Sequence, residues 1–159
     1  MIEIEAKDSN FSNKSLKLPL AQRRRARRLI IQALYQWQLS GASPSEIKRQ
    51  FIETNQGKID WDYFGEVFFS VTKTIGPLEI RLTEFLDREL SALDPIEKAL
   101  LCLGSYELAD RIDIPYRVVI NECVELAKIF GATESHKYIN GVLDKLASNL
   151  RPLEFNSRA

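Results

Sequence analysis

The chain has 159 residues, 45% of them hydrophobic and 28% charged, and its formal net charge is zero. These values indicate one globular domain with a real core and exclude a protein that is basic throughout. The sequence contains no apolar run that could span a membrane and no secretion signal. Cys102 and Cys123 lie in apolar helical stretches, and we expect reduced core cysteines of a cytosolic protein.

The two ends of the chain differ from the segment between them. Residues 1–18 are polar and are predicted to form a mobile N-terminal extension. Pro19 is expected just ahead of the first helix, where its missing N–H costs least. The folded domain is predicted to cover residues 19–152, with residues 153–159 as a C-terminal tail.

The first predicted helix combines an arginine tract with an apolar pattern. Residues 23–28 include five arginines, so they carry +5 and the other 153 residues sum to −5. No Gly or Pro interrupts residues 20–40, and Gly41 is a typical helix stop. At about 100° per residue, one side of the helix would be buried, namely Ala26, Leu29, Ile30, Ala33 and Trp37. The opposite side would face solvent, with Arg24, Arg27, Arg28, Gln32 and Tyr35.

This outer face suits a flexible polyanion that carries flat bases. Guanidinium groups bind phosphates in a bidentate manner, and Tyr or Arg can stack on unpaired bases. A solvated basic helix end and a targeting signal are the simpler alternatives. The aromatic ring on the charged face and the helical continuation favour binding of single-stranded nucleic acid.

The remaining sequence predicts further helices and no strands, hence an all-α fold of six or seven helices with short loops. Capping boxes with proline are predicted at Ser43 and Asp94. A break is predicted at Gly76-Pro77, and Gly104 would allow a close helix crossing. Gly131 is a predicted helix stop, and the last helix would cover residues 134–150.

Catalytic and cofactor motifs are not found in the sequence. His136 is the only histidine, and there is no nucleotide-binding glycine motif or metal-ligand spacing, so we expect no cofactor and no enzyme. A second candidate site is the start of the last helix, where Lys137 and Tyr138 would add charge and a ring to free backbone N–H groups. The alternative is that Thr133 or Ser135 merely caps this helix and that Tyr138 packs in the core.

Four segments together resemble the NusB family of bacterial transcription antitermination factors. They are QRRRARRLIIQALYQWQLSG, IEKALLCLGSYEL, IPYRVVINECVELAKIFG and SHKYINGVLDK, in matching order and spacing over residues 19–152. The resemblance implies two small helical subdomains and a non-catalytic role. It implies pairing with the small-subunit ribosomal protein NusE, binding of boxA-type RNA of ribosomal RNA operons, and action with RNA polymerase.

The resemblance also implies roles for particular residues. RNA contacts are expected from the first helix and from Glu134, Lys137 and Tyr138, and a NusE contact from the helices around residues 79–111, with Glu97 as a contributor. Two features depart from the family pattern: residues 1–18 are extra, and Cys102 stands where some members carry a basic residue. The alternatives are an accessory module that acts with a ribosomal RNA methyltransferase and a protein–protein adaptor without RNA binding.

Overall fold

The computed structural model describes residues 11–157, with side chains from residue 18 onward. The described residues contain eight α-helices, a 3₁₀ turn and no strand, which confirms the predicted all-α fold but exceeds the six or seven helices predicted. The helices are α1 (Phe11–Ser40), α2 (Pro44–Thr54), α3 (Trp61–Lys73), α4 (Ile75–Thr83), α5 (Pro95–Asp110), α6 (Tyr116–Phe130), α7 (Ser135–Leu150) and α8 (Pro152–Ser157), and the 3₁₀ turn is Leu90–Ala92. The chain divides into two compact units, one that ends at Ser70 and one that begins at Val71.

Helix α1 begins earlier than its sequence predicts. It starts at Phe11, so Pro19 lies inside the helix and not ahead of it. Proline has a fixed φ that fits a helix, and Pro19 is exposed, where water can replace the lost backbone bond. Residues 1–10 of the predicted extension lie outside the described residues, and the mobility of residues 1–18 stays a prediction.

The core of the first unit is built on aromatic rings. The ring of Phe64 lies 5.9 Å from that of Phe51, 5.2 Å from that of Trp61 and 5.5 Å from that of Phe68, centroid to centroid. Helix α1 contributes its apolar face, on which Ala26, Leu29, Ile30, Ile31, Ala33 and Leu34 are buried. This core fixes the rotation of α1 about its own axis, because its apolar side chains must face inward.

The second unit is centred on α5, which packs against both α6 and α7. Gly104 lies where α5 meets α7: a Cβ atom built there would be 2.6 Å from Cδ2 of Leu143. The prediction that Gly104 permits a close helix crossing is therefore confirmed. Leu143 is fully buried, so a larger residue at position 104 would displace packed core.

The helix ends follow the predicted signals with two exceptions. Ser43 caps α2 through the amide of Glu46 at 3.2 Å, and Asp94 and Glu97 form a complete capping box at α5. The break predicted at Gly76-Pro77 lies earlier, at Thr74, so Pro77 falls in the first turn of α4, where its missing N–H costs little. The predicted C-terminal tail is helical in part, as α8.

Arg151, between α7 and α8, connects several segments of the second unit by hydrogen bonds. It is only 7% exposed, and its guanidinium donates to backbone oxygens of Leu108, Ile114, Glu107 and Arg111 at distances from 2.6 to 3.0 Å. Glu154 accepts from Arg151 Nη1 at 2.9 Å and from the Tyr116 amide at 2.9 Å. These two contacts, that to the amide foremost, lower the pKa of Glu154. Arg151 thus caps the C-terminal end of α5 with a buried charge.

We expect Arg151→Ala to lower the free energy of unfolding by about 3 kcal/mol or more, because several buried carbonyl oxygens lose their donor. Urea denaturation of the purified variant measures this loss. Arg117→Ala is the matched control, because Arg117 is exposed on α6 and its loss should change stability by less than ~0.5 kcal/mol. Equal stability of the two variants would contradict the assigned role.

Candidate nucleic-acid interface

The outer face of α1 presents three of the predicted RNA-binding residues to solvent. Arg24 and Arg28 are exposed, and Tyr35 is 39% exposed. At about 100° per residue these three positions fall within a sector of roughly 40° on the helix. Gln32 borders this sector and is half-buried. We call Arg24, Arg28 and Tyr35 the α1 strip.

Arg27 does not belong to this strip, and its prediction as an outward-facing residue is wrong. It is only 4% exposed, and its guanidinium carbon lies 5.6 Å from the ring centroid of Tyr63. On the helical projection Arg27 lies about 60° from Arg24. It lies between Leu34 and Ile31, which are both buried, so it stands on the buried side of α1. An aromatic partner on α3 turns it inward, because a cation gains from contact with a ring face once it leaves water.

Two more arginines of the tract, Arg23 and Arg25, contact residues 58–63, where α3 begins. Arg23 lies 4.3 Å above the ring of Tyr63, and its Nε is 4.0 Å from Oδ2 of Asp60. Arg25 donates to the carbonyl oxygen of Lys58 at 2.7 Å. Asp60 in turn accepts from the amide of Tyr63 at 2.9 Å and so caps α3. The arginine tract therefore serves two purposes: one part packs within the protein and the other faces solvent.

The start of α7 forms the second candidate surface, within the second unit. Glu134 and Lys137 are both exposed, and their side chains form an ion pair of 2.7 Å. Glu134 occupies the N-cap position with φ 73°, and it is the only non-glycine residue with positive φ in the described part of the chain. Neither Thr133 nor Ser135 caps the helix, contrary to the simpler interpretation of this segment. A left-handed glutamate stores strain that the surrounding contacts must offset.

Tyr138 is half-buried and has a cationic partner that the sequence did not reveal. The guanidinium carbon of Arg88 lies 3.9 Å from the centroid of its ring. Arg88 also pairs with Asp87 at 2.9 Å, which lowers the pKa of Asp87 and raises that of Arg88. Burial raises the pKa of the Tyr138 phenol, so the ring stays neutral at physiological pH. Arg88 and Tyr138 are 50 positions apart, so no local pattern predicts their contact. The only signal in the sequence is that residues 87–89 are polar.

Glu97, the predicted partner contact, is half-buried and uses both of its carboxylate oxygens. Oε1 accepts from the amide of Asp94 at 3.3 Å, and Oε2 accepts from the hydroxyl of Ser135 at 3.0 Å. Glu97 thus joins the start of α5 to the start of α7. Nearby on α4 and α5, Glu79 and Lys98 form an ion pair.

The two cysteines are buried, and Cys102 lies within electrostatic reach of Lys98 and Glu79. Burial raises the pKa of the Cys102 thiol to about 12, so it stays protonated and unreactive. The thiol of Cys123 is a weak donor to the carbonyl oxygen of Leu100, with Sγ 3.7 Å from that oxygen. Over residues 11–157, no helix is both long enough and apolar enough to cross a bilayer.

Fold and surfaces together define an all-helical protein that exposes arginine, lysine and tyrosine side chains at helix faces and helix starts. A sequence model described as the NusB family matches residues 24–148. The chain is similar to the transcription antitermination protein NusB of Alcanivorax borkumensis, with 52% identity over 86% of this chain and 91% of that protein. The protein of the same name from Idiomarina loihiensis is also 52% identical, over 83% of this chain and 96% of its own length. The chain therefore belongs to the NusB family of transcription antitermination factors.

A solved structure supports this assignment. NusB of T. maritima superimposes with a TM-score of 0.73 at 25% identity, over 84% of this chain and 96% of the other. The family resemblance stated from the sequence is thus confirmed, and so is the fold class.

The division of the arginine tract can be tested by comparing two substitutions. We expect Arg27→Ala to lower the free energy of unfolding by about 1–3 kcal/mol, because it removes a buried side chain from the ring of Tyr63. Arg24→Ala, one turn away on the exposed side, should change stability by less than ~0.5 kcal/mol. Chemical denaturation followed by circular dichroism compares the two, and an equal effect of both would contradict the inward placement of Arg27.

Proposed function

We propose that this protein is a non-catalytic antitermination factor that binds boxA-type single-stranded RNA of ribosomal RNA operons together with NusE. It then acts in the cytoplasm on transcribing RNA polymerase, as the family resemblance implies. The α1 strip is the observation that carries the proposal, because it combines two exposed guanidinium groups with an exposed ring on one helix face.

The chemistry of the strip matches that of an unpaired nucleic acid. Arg24 and Arg28 are one turn apart and can each bind a phosphate in a bidentate manner. Tyr35 lies two turns further along the same face, where a base that is not paired can stack on its ring. Phosphate contacts would fix the register of the RNA, and contacts to bases would select its sequence.

The start of α7 supplies a second set of groups for the same ligand. Lys137 and Arg88 carry positive charge, and the ring of Tyr138 lies against Arg88. Both cations are paired with carboxylates, which RNA phosphates would have to compete with or reorganise. We propose that Glu134, Lys137 and Tyr138 contribute selectivity, and that Arg24 and Arg28 of the α1 strip contribute two further positive charges.

The NusE contact is proposed on the helices around residues 79–111, where the resemblance places it. This segment includes the end of α4, the 3₁₀ turn and α5. Its exposed surface carries charges of both signs, with Arg88 and Asp87 as one pair. Such mixed charge favours steering and specific register in a protein–protein contact.

RNA affinity should depend on the exposed arginines. Four cations at the interface would give a log–log salt slope near ~−3, from ~0.7 per phosphate on single strands. We expect Arg24→Ala/Arg28→Ala to weaken binding of boxA-type RNA at least about tenfold and to reduce the slope by ~1.4, because two phosphate contacts are lost. Fluorescence anisotropy titrations at several salt concentrations measure both quantities.

The matched control removes the same net charge elsewhere. Arg117→Ala/Lys145→Ala changes two exposed cations on α6 and α7 and should leave the slope and the affinity nearly unchanged. An equal loss in both double variants would indicate that only overall charge matters. Absent or salt-insensitive RNA binding by the wild-type protein would favour a protein–protein adaptor.

Binding of RNA and NusE should be cooperative. We expect RNA to bind the pair of proteins more tightly than either protein alone, because NusE adds contact area to the same ligand. Titration of boxA-type and scrambled RNA, with and without NusE, measures the coupling and the selectivity. If NusE changes neither affinity nor selectivity, joint RNA binding is contradicted.

A further inference from the structure

Glu97 connects two helix starts through one hydrogen bond to each of its carboxylate oxygens. It stands at the third position of α5, where Oε1 completes the capping box with Asp94. Oε2 reaches the Ser135 hydroxyl at 3.0 Å, and Ser135 is the first residue of α7. Both oxygens of this carboxylate therefore accept hydrogen bonds from groups of its own unit, one at each helix start.

The connection before α7 is tightly constrained around Ser135. Ser135 is 5% exposed, and a Cβ atom at Gly131 would lie 3.1 Å from its Cβ and 2.8 Å from the carbonyl oxygen of Ala127. Between these two residues, Glu134 takes a left-handed conformation that a glutamate rarely adopts. The hydrogen bond that the Ser135 hydroxyl donates to Glu97 is therefore located where the strained connection becomes a helix.

We propose that Glu97 is a positioning residue for RNA binding, which acts through Ser135 on the first turn of α7. It fixes the direction in which Lys137 and Tyr138 leave the helix, two and three residues after Ser135. This inference rests on the proposed function and deepens it. It gives Glu97 a role that differs from a direct contact with a partner protein.

Charge and hydrogen bonding can be separated at this position. A carboxylate near a phosphate-binding surface repels RNA, so removal of the charge alone should strengthen RNA binding or leave it unchanged. Glu97→Gln and Glu97→Ala remove the same charge. Only glutamine can still complete the capping box and bond to Ser135, since an amide both donates and accepts.

The experiment measures the affinity of full-length variants for boxA-type RNA. Four are single variants, and the fifth combines Glu97→Ala with Ser135→Ala. We expect Glu97→Ala and Ser135→Ala each to weaken boxA-type RNA binding about fivefold to tenfold, within the range of one lost hydrogen bond. Glu97→Gln should rescue affinity to within about twofold of wild type. Ser148→Ala, an exposed serine on the same helix, is the control and should have no effect. Glu97→Ala/Ser135→Ala should be no weaker than either single variant, because both remove the same bond.

Amide hydrogen exchange supplies a readout that does not depend on RNA. The amide of Lys137 donates to the carbonyl oxygen of Glu134 at 3.1 Å, and we expect it to exchange several-fold faster in Ser135→Ala but not in Ser148→Ala. Thermal melting confirms that each variant is folded.

The outcomes discriminate between the explanations. Equal RNA affinity of Glu97→Ala and Glu97→Gln would overturn the inference, and so would a loss of affinity without faster exchange at Lys137. Wild-type protein that binds RNA, with Glu97→Ala and Ser135→Ala unaffected, contradicts the inference alone. Wild-type protein that does not bind RNA contradicts the proposed function, and the inference with it.

Discussion

The stacking of Arg23 and Arg27 on the ring of Tyr63 is the interaction on which the rest of the proposed RNA surface depends. Both guanidinium groups lie within 5.6 Å of that ring, and Arg27 is buried. Together with the apolar side of α1, this contact sets the rotation of the helix within its own unit. Arg24, Arg28 and Tyr35 then face solvent as a consequence, because they lie on the opposite side of the same cylinder.

Sequence periodicity predicted most of the apolar side of α1 and failed at Arg27. Ala26, Leu29, Ile30 and Ala33 are buried as expected, whereas Trp37 is half-buried. The buried sector is wider than predicted, because Leu34 and Ile31, on either side of Arg27 in the helical projection, are buried too. The guanidinium group of Arg27 is received by the ring of Tyr63, 36 residues later. An arginine has a long apolar side chain and can be buried when its guanidinium group packs on an aromatic ring. A helical projection of α1 alone does not show a ring that lies on another helix.

Local signals were similarly reliable where the chain itself supplies both partners. The capping box at Asp94 and the helix stop at Gly131 are encoded within a few residues and appear in the structure. Contacts that join distant segments were not predictable: Arg88 with Tyr138, Glu97 with Ser135, and Arg151 with four carbonyl oxygens near the end of α5. Position 134 shows the same limit, because nothing in the local sequence predicts a left-handed conformation for a glutamate.

The distribution of the arginines also gives the proposed RNA binding a physical basis in a protein of zero net charge. Of the +5 carried by residues 23–28, the charges of Arg23 and Arg27 are directed at a ring of the same unit, and Arg25 at a carbonyl oxygen. The residues of the α1 strip lie on the surface, where each proposed phosphate contact would release counterions. A surface with few exposed cations is expected to bind RNA weakly at physiological salt unless other groups add binding free energy. Aromatic stacking, a correctly positioned α7 and a partner protein are the kinds of assistance that such a surface requires, and they favour selective binding over general attraction to RNA.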